Sequence, residues 1–218
     1  METLERRVNE GVLEFRSADE SAGNVLSGYA VAFNTLSRDL GGWFEEIAPE
    51  AVGAATEEGR LDLSLHGRIL GRTNHDNNLL LGTTDTGTLR LFVDEKGLRY
   101  ELDLPNTSYG KDLAVLAERG DIRFSSFAFR VLPDGVQWRE DTDGRLVRRI
   151  VAMTMVDVAP VADPAYFSSS AEMQRSFDLD AVRASLNPPD SQSADTGSTS
   201  RRARANKGRA LSREKGSR

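Results

Sequence analysis

Few residues in this sequence could carry out covalent catalysis. The chain has 218 residues, no cysteine and only two histidines, His66 and His75. Hydrolysis through a covalent intermediate at neutral pH needs a nucleophile, a base with a pKa near 7 and a group that orients this base. Because no thiol is present, the nucleophile has to be a serine or threonine hydroxyl. The base is then expected to be His66 or His75.

Two adjacent serines, Ser125 and Ser126, interrupt an apolar stretch that alternates as a β-strand does. From Ile122 to Val131, the apolar side chains lie on one face before the serines and on the other face after them. The strand is therefore expected either to be buried on both faces or to bulge at the serines, and bulges often redirect side chains near active sites. Either serine is a candidate nucleophile. The alternative is that both hydroxyls only bond to the backbone.

Asp157 is the candidate for the carboxylate that orients the base. It is the one acid in the otherwise apolar residues 150–161. A lone buried carboxylate is unfavourable unless it is paired, and a paired one is a candidate functional group. The alternative is a structural salt bridge to Arg148 or Arg149. Of the two histidines, His75 lies in a polar loop, where an imidazole can be both accessible and oriented.

Several other classes of function are disfavoured. Two histidines without cysteine leave no thiolate or His-rich metal site, and no Gly-rich phosphate loop precedes a Lys-Ser/Thr pair. We therefore expect neither a metal nor a cofactor. The sequence has no run of eighteen apolar residues and no signal-peptide core, so we expect no membrane association and a cytoplasmic site of action.

Composition divides the chain into three parts. Residues 1–11 are polar and expected to be ragged, residues 12–185 are expected to form the folded domain, and residues 186–218 a disordered basic tail. The tail has eight Lys or Arg against three Asp or Glu, so its net charge is +5 and that of the rest is −11. The tail could bind nucleic acid non-specifically, but the acidic body argues against a dedicated nucleic-acid module.

Hairpin patterns dominate the predicted secondary structure. Residues 88–104 alternate on both sides of a turn at residues 94–97, which predicts a β-hairpin. A second hairpin is expected to turn at residues 141–144 and to lead into one long central strand, residues 146–158. Residues 107–119 predict a helix. The expected fold is a β-rich α+β class: a closed or nearly closed β-barrel flanked by a few helices.

Five short motifs occur in a characteristic order and spacing. They are Gly28-Tyr-Ala-Val-Ala-Phe-Asn; Asn74-His-Asp followed by Leu81-Gly; Gly87-Thr-Leu-Arg-Leu with Asp94-Glu-Lys-Gly-Leu; Gly120-Asp-Ile-Arg with Ser126-Phe-Ala-Phe; and Asp157-Val-Ala-Pro-Val with Pro164-Ala-Tyr. In these motifs the sequence resembles the prohead maturation proteases of tailed bacteriophages, serine peptidases related in fold to the herpesvirus capsid proteases. The resemblance covers roughly residues 12–170.

The resemblance implies roles for individual side chains. In that family the histidine of the Asn-His-Asp motif is the general base, and the serine of the Ser-Phe-Gly/Ala-Phe motif is the nucleophile. The acid before the Val-Ser-Pro-Val motif is the third member. These positions correspond to His75, Ser126 and Asp157. By analogy with the herpesvirus enzymes, an arginine is expected to help bind the oxyanion. The residues expected at the oxyanion or the substrate are Arg148, Arg149 and Phe127.

The resemblance also implies a biological role. It is that of a serine endopeptidase that cleaves the major capsid protein and scaffold segments, and its own chain, inside an assembling procapsid in the host-cell cytoplasm. Such an enzyme could also form a homo-oligomer. The alternative from a different class is a catalytically inactive procapsid protein with a scaffold or capsid-binding role.

Overall fold

The computed structural model describes residues 3–17, 23–162 and 177–187. Within these ranges the chain forms twelve β-strands and two α-helices, together with short 3-10 turns. The strands are β1 (Leu4–Val12), β2 (Glu14–Arg16), β3 (Val25–Ala32), β4 (Phe44–Ile47), β5 (Leu70–Arg72), β6 (Leu80–Thr83), β7 (Leu89–Val93), β8 (Gly97–Asp103), β9 (Phe124–Val131), β10 (Val136–Glu140), β11 (Leu146–Ile150) and β12 (Met153–Val161). The helices are α1 (Ser108–Glu118) and α2 (Leu179–Leu186).

The strands of the described residues form three separate sheets. The five-stranded sheet has the order β1-β9-β12-β5-β6, the four-stranded sheet β2-β3-β8-β7 and the three-stranded sheet β10-β11-β4. The expected β-rich α+β class is confirmed. The expected closed barrel is not found in these ranges, because the strands are divided among three sheets, each of which has two edge strands.

The apolar run at residues 146–158 was expected to be one central strand, and this prediction is wrong in one respect. The chain turns at Val151 and Ala152, whose N–H groups both donate to the carbonyl of Gly135. β11 before the turn is the middle strand of the three-stranded sheet, and β12 after it is the middle strand of the five-stranded sheet. Both halves are therefore central, but in different sheets.

Two local predictions are confirmed. Helix α1 begins after Thr107, whose side chain accepts a hydrogen bond from the Gly110 N–H, as an N-cap residue does. β7 and β8 form the predicted hairpin, and in its turn the Asp94 carboxylate accepts hydrogen bonds from the N–H groups of Lys96 and Gly97. Both features depend on residues close together in the sequence.

The N-terminal residues were expected to be ragged, but they form the edge strand β1, antiparallel to β9. Glu5 and Arg7 of β1 form ion pairs with each other and with Glu45 and Arg148 of the three-stranded sheet, at distances of 2.6 to 2.8 Å. Arg7, Glu45 and Arg148 are each less than 10% exposed. These contacts stabilise β1 through residues far away in the sequence.

The apolar core joins all three sheets, with buried members such as Leu26 of β3, Ile47 of β4 and Phe129 of β9. A smaller cluster surrounds Trp43, whose ring packs edge-on against Phe177 before α2. No helix in the described ranges is long and apolar enough to cross a membrane. Residues 188–218, most of the predicted basic tail, lie outside the described residues, so its disorder remains a prediction.

β9 lies between β1 and β12 and is buried on both faces at the two serines. Its pairing is regular there. The irregularities fall in its partners, between Asn9 and Val12 of β1 and between Met155 and Asp157 of β12. Of the two arrangements expected for this strand, burial on both faces is therefore the one observed.

Candidate active site

The two adjacent serines of β9 point in opposite directions. The Ser125 Oγ lies 3.1 Å from the Tyr100 hydroxyl in the core, on the side that faces Gly28. A Cβ at Gly28 would lie 2.9 Å from the Ser125 Oγ, so only glycine leaves room for this hydroxyl. The Ser126 Oγ faces His75 instead. The structure thus separates a core serine from a serine that meets a histidine.

His75 ends a 3-10 turn, Thr73–His75, between β5 and β6. Asn74 and His75 both have positive φ angles, of 52° and 59°, a region that non-glycine residues seldom adopt. This backbone directs the ring back over the five-stranded sheet. Its Nδ1 lies 2.6 Å from the Asp157 Oδ1, and its Nε2 lies 2.6 Å from the Ser126 Oγ.

These two contacts define the tautomer of His75. A carboxylate oxygen can only accept a hydrogen bond, so the Nδ1–H donates to Asp157 and the Nε2 keeps its lone pair. The Ser126 hydroxyl can then donate to Nε2. A serine, a histidine and a carboxylate are therefore joined in the order that proton transfer from the serine requires.

Asp157 has no exposed surface, and both carboxylate oxygens contact a cationic or donor group. Oδ1 accepts from His75, and Oδ2 is ion-paired with the Arg72 guanidinium. The structural alternative for Asp157, a salt bridge to Arg148 or Arg149, is not observed. Arg72 also donates to the Asn77 side chain, so its guanidinium ties the end of β5 to the His75 loop.

The Ser126 hydroxyl has a second acceptor, the backbone carbonyl of Arg7 on β1, at 2.9 Å. A hydroxyl has one proton, so it donates either to this carbonyl or to His75. Only the second arrangement prepares the oxygen for attack. Ser126 is 1% exposed, so a polypeptide can reach its Oγ only when the groups that cover it move.

The His75 imidazole is neutral at physiological pH. Burial is the main cause that lowers the pKa of His75, to about 4, and the positive charges of Arg6 and Arg72 act in the same direction. The Asp157 carboxylate acts in the opposite direction, because it favours the imidazolium. The neutral ring can accept a proton, and the adjacent carboxylate can stabilise the charge that results.

His66, the other candidate base, lies away from the serines. Its Nε2 lies 2.8 Å from the Val52 carbonyl, and its Nδ1 accepts a hydrogen bond from the Met155 N–H at 3.1 Å. Burial lowers the pKa of His66, although the hydrogen bond to Val52 opposes this shift. Both ring nitrogens are thus used by backbone groups, and the ring connects β12 to the segment before residue 53.

The other predicted site residues, Arg148, Arg149 and Phe127, form no hydrogen bond with Ser126, His75 or Asp157 in the described part of the chain. Arg148 bonds to Glu5 and Glu45, and Arg149 bonds to Glu46, both within or beside the three-stranded sheet. Phe127 follows Ser126 but projects to the opposite face, where its ring is 3% exposed and stacks on Phe129. The guanidinium groups are already neutralised by carboxylates, and the ring belongs to the core.

Arg72 is the contact of Asp157 that sequence reasoning missed. It lies three residues before His75, and its position at the end of a strand next to β12 is what brings it to the acid. The sequence signal that could have identified Arg72 was its position as a basic residue just before the loop that carries His75. Among the described residues, no group of three or more His, Asp or Glu side chains could hold a metal ion.

Comparisons with known proteins identify the family. A model of the caudovirus prohead serine protease family matches residues 12–183 of this chain. No curated protein matches this chain. Among solved structures, the capsid assembly protease gp21 of bacteriophage T4 is similar, with a TM-score of 0.46 and 11% sequence identity over 72% of this chain and 96% of the T4 chain. Because the family match spans far more than half of the sequence, this protein belongs to the caudovirus prohead serine protease family.

Proposed function

We propose that the protein is an active serine endopeptidase in which Ser126 is the nucleophile, His75 the general base and Asp157 the group that orients the base. The observation that carries this proposal is the continuous chain of contacts from the Ser126 Oγ through both nitrogens of His75 to the Asp157 carboxylate, each 2.6 Å long. The family match independently supports a peptidase.

In the first half of the reaction, the Ser126 Oγ attacks the scissile carbonyl carbon while its proton passes to the His75 Nε2. The peptide C–N bond then breaks as His75 returns the proton to the leaving amine, which leaves an acyl ester on Ser126. In the second half, His75 takes a proton from water, and the hydroxide attacks the ester carbonyl. Collapse of this intermediate breaks the ester bond as His75 gives the proton to the Ser126 Oγ, which releases the carboxylate product and restores the serine.

Asp157 and Arg72 support the base in this scheme. Asp157 keeps the Nδ1–H in place and stabilises the imidazolium that forms in both halves of the reaction. Arg72 binds the second oxygen of the same carboxylate. A buried carboxylate is costly without such a partner, so Arg72 helps to keep Asp157 ionised.

We infer the substrates from the family rather than from the geometry of the site. The proposed substrates are the major capsid protein, scaffold segments and the chain itself, cleaved inside the assembling procapsid in the host-cell cytoplasm. The basic residues of the tail are a candidate docking arm for acidic surfaces of that assembly, because several weak ion pairs on one segment act together.

Mass spectrometry of the purified full chain tests the proposal. The chain is incubated alone and with the major capsid protein, beside the variants Ser126→Ala and Ser125→Ala. We expect new fragments with the wild type and with Ser125→Ala, and none with Ser126→Ala. If the wild type yields no fragments from either substrate, the alternative of a catalytically inactive capsid-binding protein is favoured. Identical fragments with Ser126→Ala would exclude Ser126 as the nucleophile.

A further inference from the structure

An arginine on the edge strand shares the sheet face of the proposed active site. In the register of the five-stranded sheet, Arg6 of β1 and Asp157 of β12 are both paired with Ala128 of β9. Directly paired residues lie on the same face of a sheet, and so do residues two apart in one strand. Arg6, Ala128, Asp157 and Ser126 therefore share one face.

The distance between Arg6 and Ser126 suits a long side chain. Ser126 is paired with Val8, so Arg6 and Ser126 are diagonal neighbours on adjacent strands. The Cα atoms of diagonal neighbours are about 7–8 Å apart, a distance that a long side chain can span. Ala128, directly beside Arg6, has only a methyl group, so no bulky side chain separates the guanidinium from the serine on that strand.

Arg6 differs from its neighbour Arg7 in how its charge is compensated. The Arg7 side chain is buried on the opposite face, where Glu5 and Glu45 bind it. Arg6 is exposed, and its side chain forms no ion pair or hydrogen bond with any described residue. The Arg6 carbonyl accepts a hydrogen bond from the Arg7 Nη1 at 2.7 Å, so the backbone at Arg6 is fixed while its guanidinium is available.

The charges on this face also point to an anionic partner. Asp157 is paired with Arg72, and the exposed Asp76 carboxylate accepts hydrogen bonds from Asn78. Neither forms an ion pair with Arg6 in the described part of the chain. After burial, the charge of Arg6 is the next cause that lowers the pKa of both His75 and Arg72. Protonation of His75 during the reaction adds another positive charge. Negative charge that develops on the substrate oxygen at the same moment would offset this repulsion.

We propose that Arg6 stabilises the oxyanion of the tetrahedral intermediate formed at Ser126. This inference rests on the proposed peptidase function. It gives to the Arg6 guanidinium, which has no ion-pair partner among the described residues, the role that the sequence suggested for Arg148 or Arg149, whose charges are neutralised elsewhere. It also gives β1 a function, as the strand that carries the oxyanion donor beside the nucleophile strand.

Hydrolysis of p-nitrophenyl acetate tests this role, because the ester is uncharged and its reaction passes through the same type of oxyanion. The variants are Arg6→Gln and Arg6→Lys, with Arg130→Gln as the matched control. Arg130 lies on the same face of β9, two residues beyond Ala128 and thus farther from Ser126. The background rate is that of Ser126→Ala.

We expect Arg6→Gln to lower kcat by about 10- to 100-fold with little change in KM, because oxyanion donors act in the transition state. Arg6→Lys should keep part of the activity, because it keeps the charge, and Arg130→Gln should match the wild type. Equal melting temperatures would exclude a folding defect.

An unchanged kcat in Arg6→Gln, a loss confined to KM, or an equal loss in Arg130→Gln would each overturn the assignment of Arg6. In each of these cases a wild type faster than Ser126→Ala leaves the peptidase proposal intact. A wild type no faster than Ser126→Ala would overturn the peptidase proposal, and the role of Arg6 with it.

Discussion

The surroundings of His66 and His75 differ in the kind of partner, not in the number. Each ring has both nitrogens within hydrogen-bond distance of another group, and burial lowers the pKa of each. His66 binds a backbone carbonyl and a backbone N–H. His75 binds a carboxylate and a hydroxyl. Backbone groups can only hold a ring in place, whereas a hydroxyl that donates to an imidazole can become a nucleophile.

The two histidines are nevertheless connected through β12. His66 accepts a hydrogen bond from Met155, which lies just before the irregularity that places Asp157 in register with Ala128. His75 binds Asp157 itself. His66 thus supports the strand that carries Asp157, and His75 forms a hydrogen bond with the Asp157 carboxylate. Substitutions at the two positions should therefore affect different measurements.

The largest effect is expected at the site of His75. Ser126→Ala and His75→Ala should each lower kcat/KM by about four orders of magnitude or more, and the double variant should be no worse, because members of a triad act as a unit. Steady-state hydrolysis of a peptide substrate measures this. Ser125→Ala, which changes the hydroxyl on the other face, is the matched control and should keep most of the activity. Losses that add in the double variant would argue against a common mechanism.

Asp157→Asn should have the next largest effect, a loss of about three to four orders of magnitude in kcat. The amide keeps the shape of the carboxylate but can donate a hydrogen bond to Nδ1, which favours the wrong tautomer of His75. Arg72 would also lose its charged partner. The same peptide assay measures the effect. Activity within tenfold of the wild type would show that Asp157 has only a structural role.

His66→Ala should reduce stability rather than activity. Removal of the ring leaves the Met155 N–H and the Val52 carbonyl without their partner, at a cost of about 1–3 kcal/mol in the free energy of unfolding. Denaturant titration measures this loss, and kcat well below the melting temperature should be close to that of the wild type. A folded His66→Ala protein without activity would instead make His66 part of the catalytic machinery.

Low pH should also reduce stability through His75, by an amount comparable to the loss in His66→Ala. The pKa of His75 is about 4 in the folded protein and 6.5 in an ordinary histidine, so the unfolded chain takes up the proton first as the pH falls. The stability that His75 contributes is therefore complete above pH 6.5 and is lost as the pH falls towards 4. Denaturant titrations at pH 7.0 and 4.5 should show a larger loss for the wild type than for His75→Gln.

The lowered pKa of His75 also sets the pH dependence of catalysis. The acid limb of kcat/KM reports the base of the free enzyme, so activity should persist well below pH 6.5. Half-loss near 6.5 would mean that the base has an ordinary pKa, and equal stability losses in the wild type and His75→Gln would mean that the ring is not buried in its neutral form.

Sequence reasoning succeeded where the determining contacts are local. Thr107 is followed within three residues by its capping partner, and the Asp94 turn bonds to its own next residues, so α1 and the β7–β8 hairpin could be predicted. The prediction of a prohead protease is confirmed by the family match over residues 12–183. That prediction depended on the order and spacing of five motifs, each of which is short.

The failures concern contacts between distant residues. β1 was missed because Arg7 is held by Glu45, 38 residues away, and Glu5 by Arg148, 143 residues away. The break between β11 and β12 is invisible in a continuous apolar run, because it depends on how the two halves join different sheets. The partner of Asp157 was misjudged for a related reason: Arg148 and Arg149 are near in sequence, but Arg72 is near in space.

Labelling with a serine-directed fluorophosphonate, followed by peptide mapping, tests the central claim most directly. The reagent forms a bond only with a serine that a neighbouring base activates. We predict stoichiometric modification of Ser126 in the folded wild type, and none in His75→Ala or in the heat-denatured chain. Modification of Ser125 instead, or of no serine in a folded wild-type protein, would contradict the assignment of Ser126 and His75 as nucleophile and base.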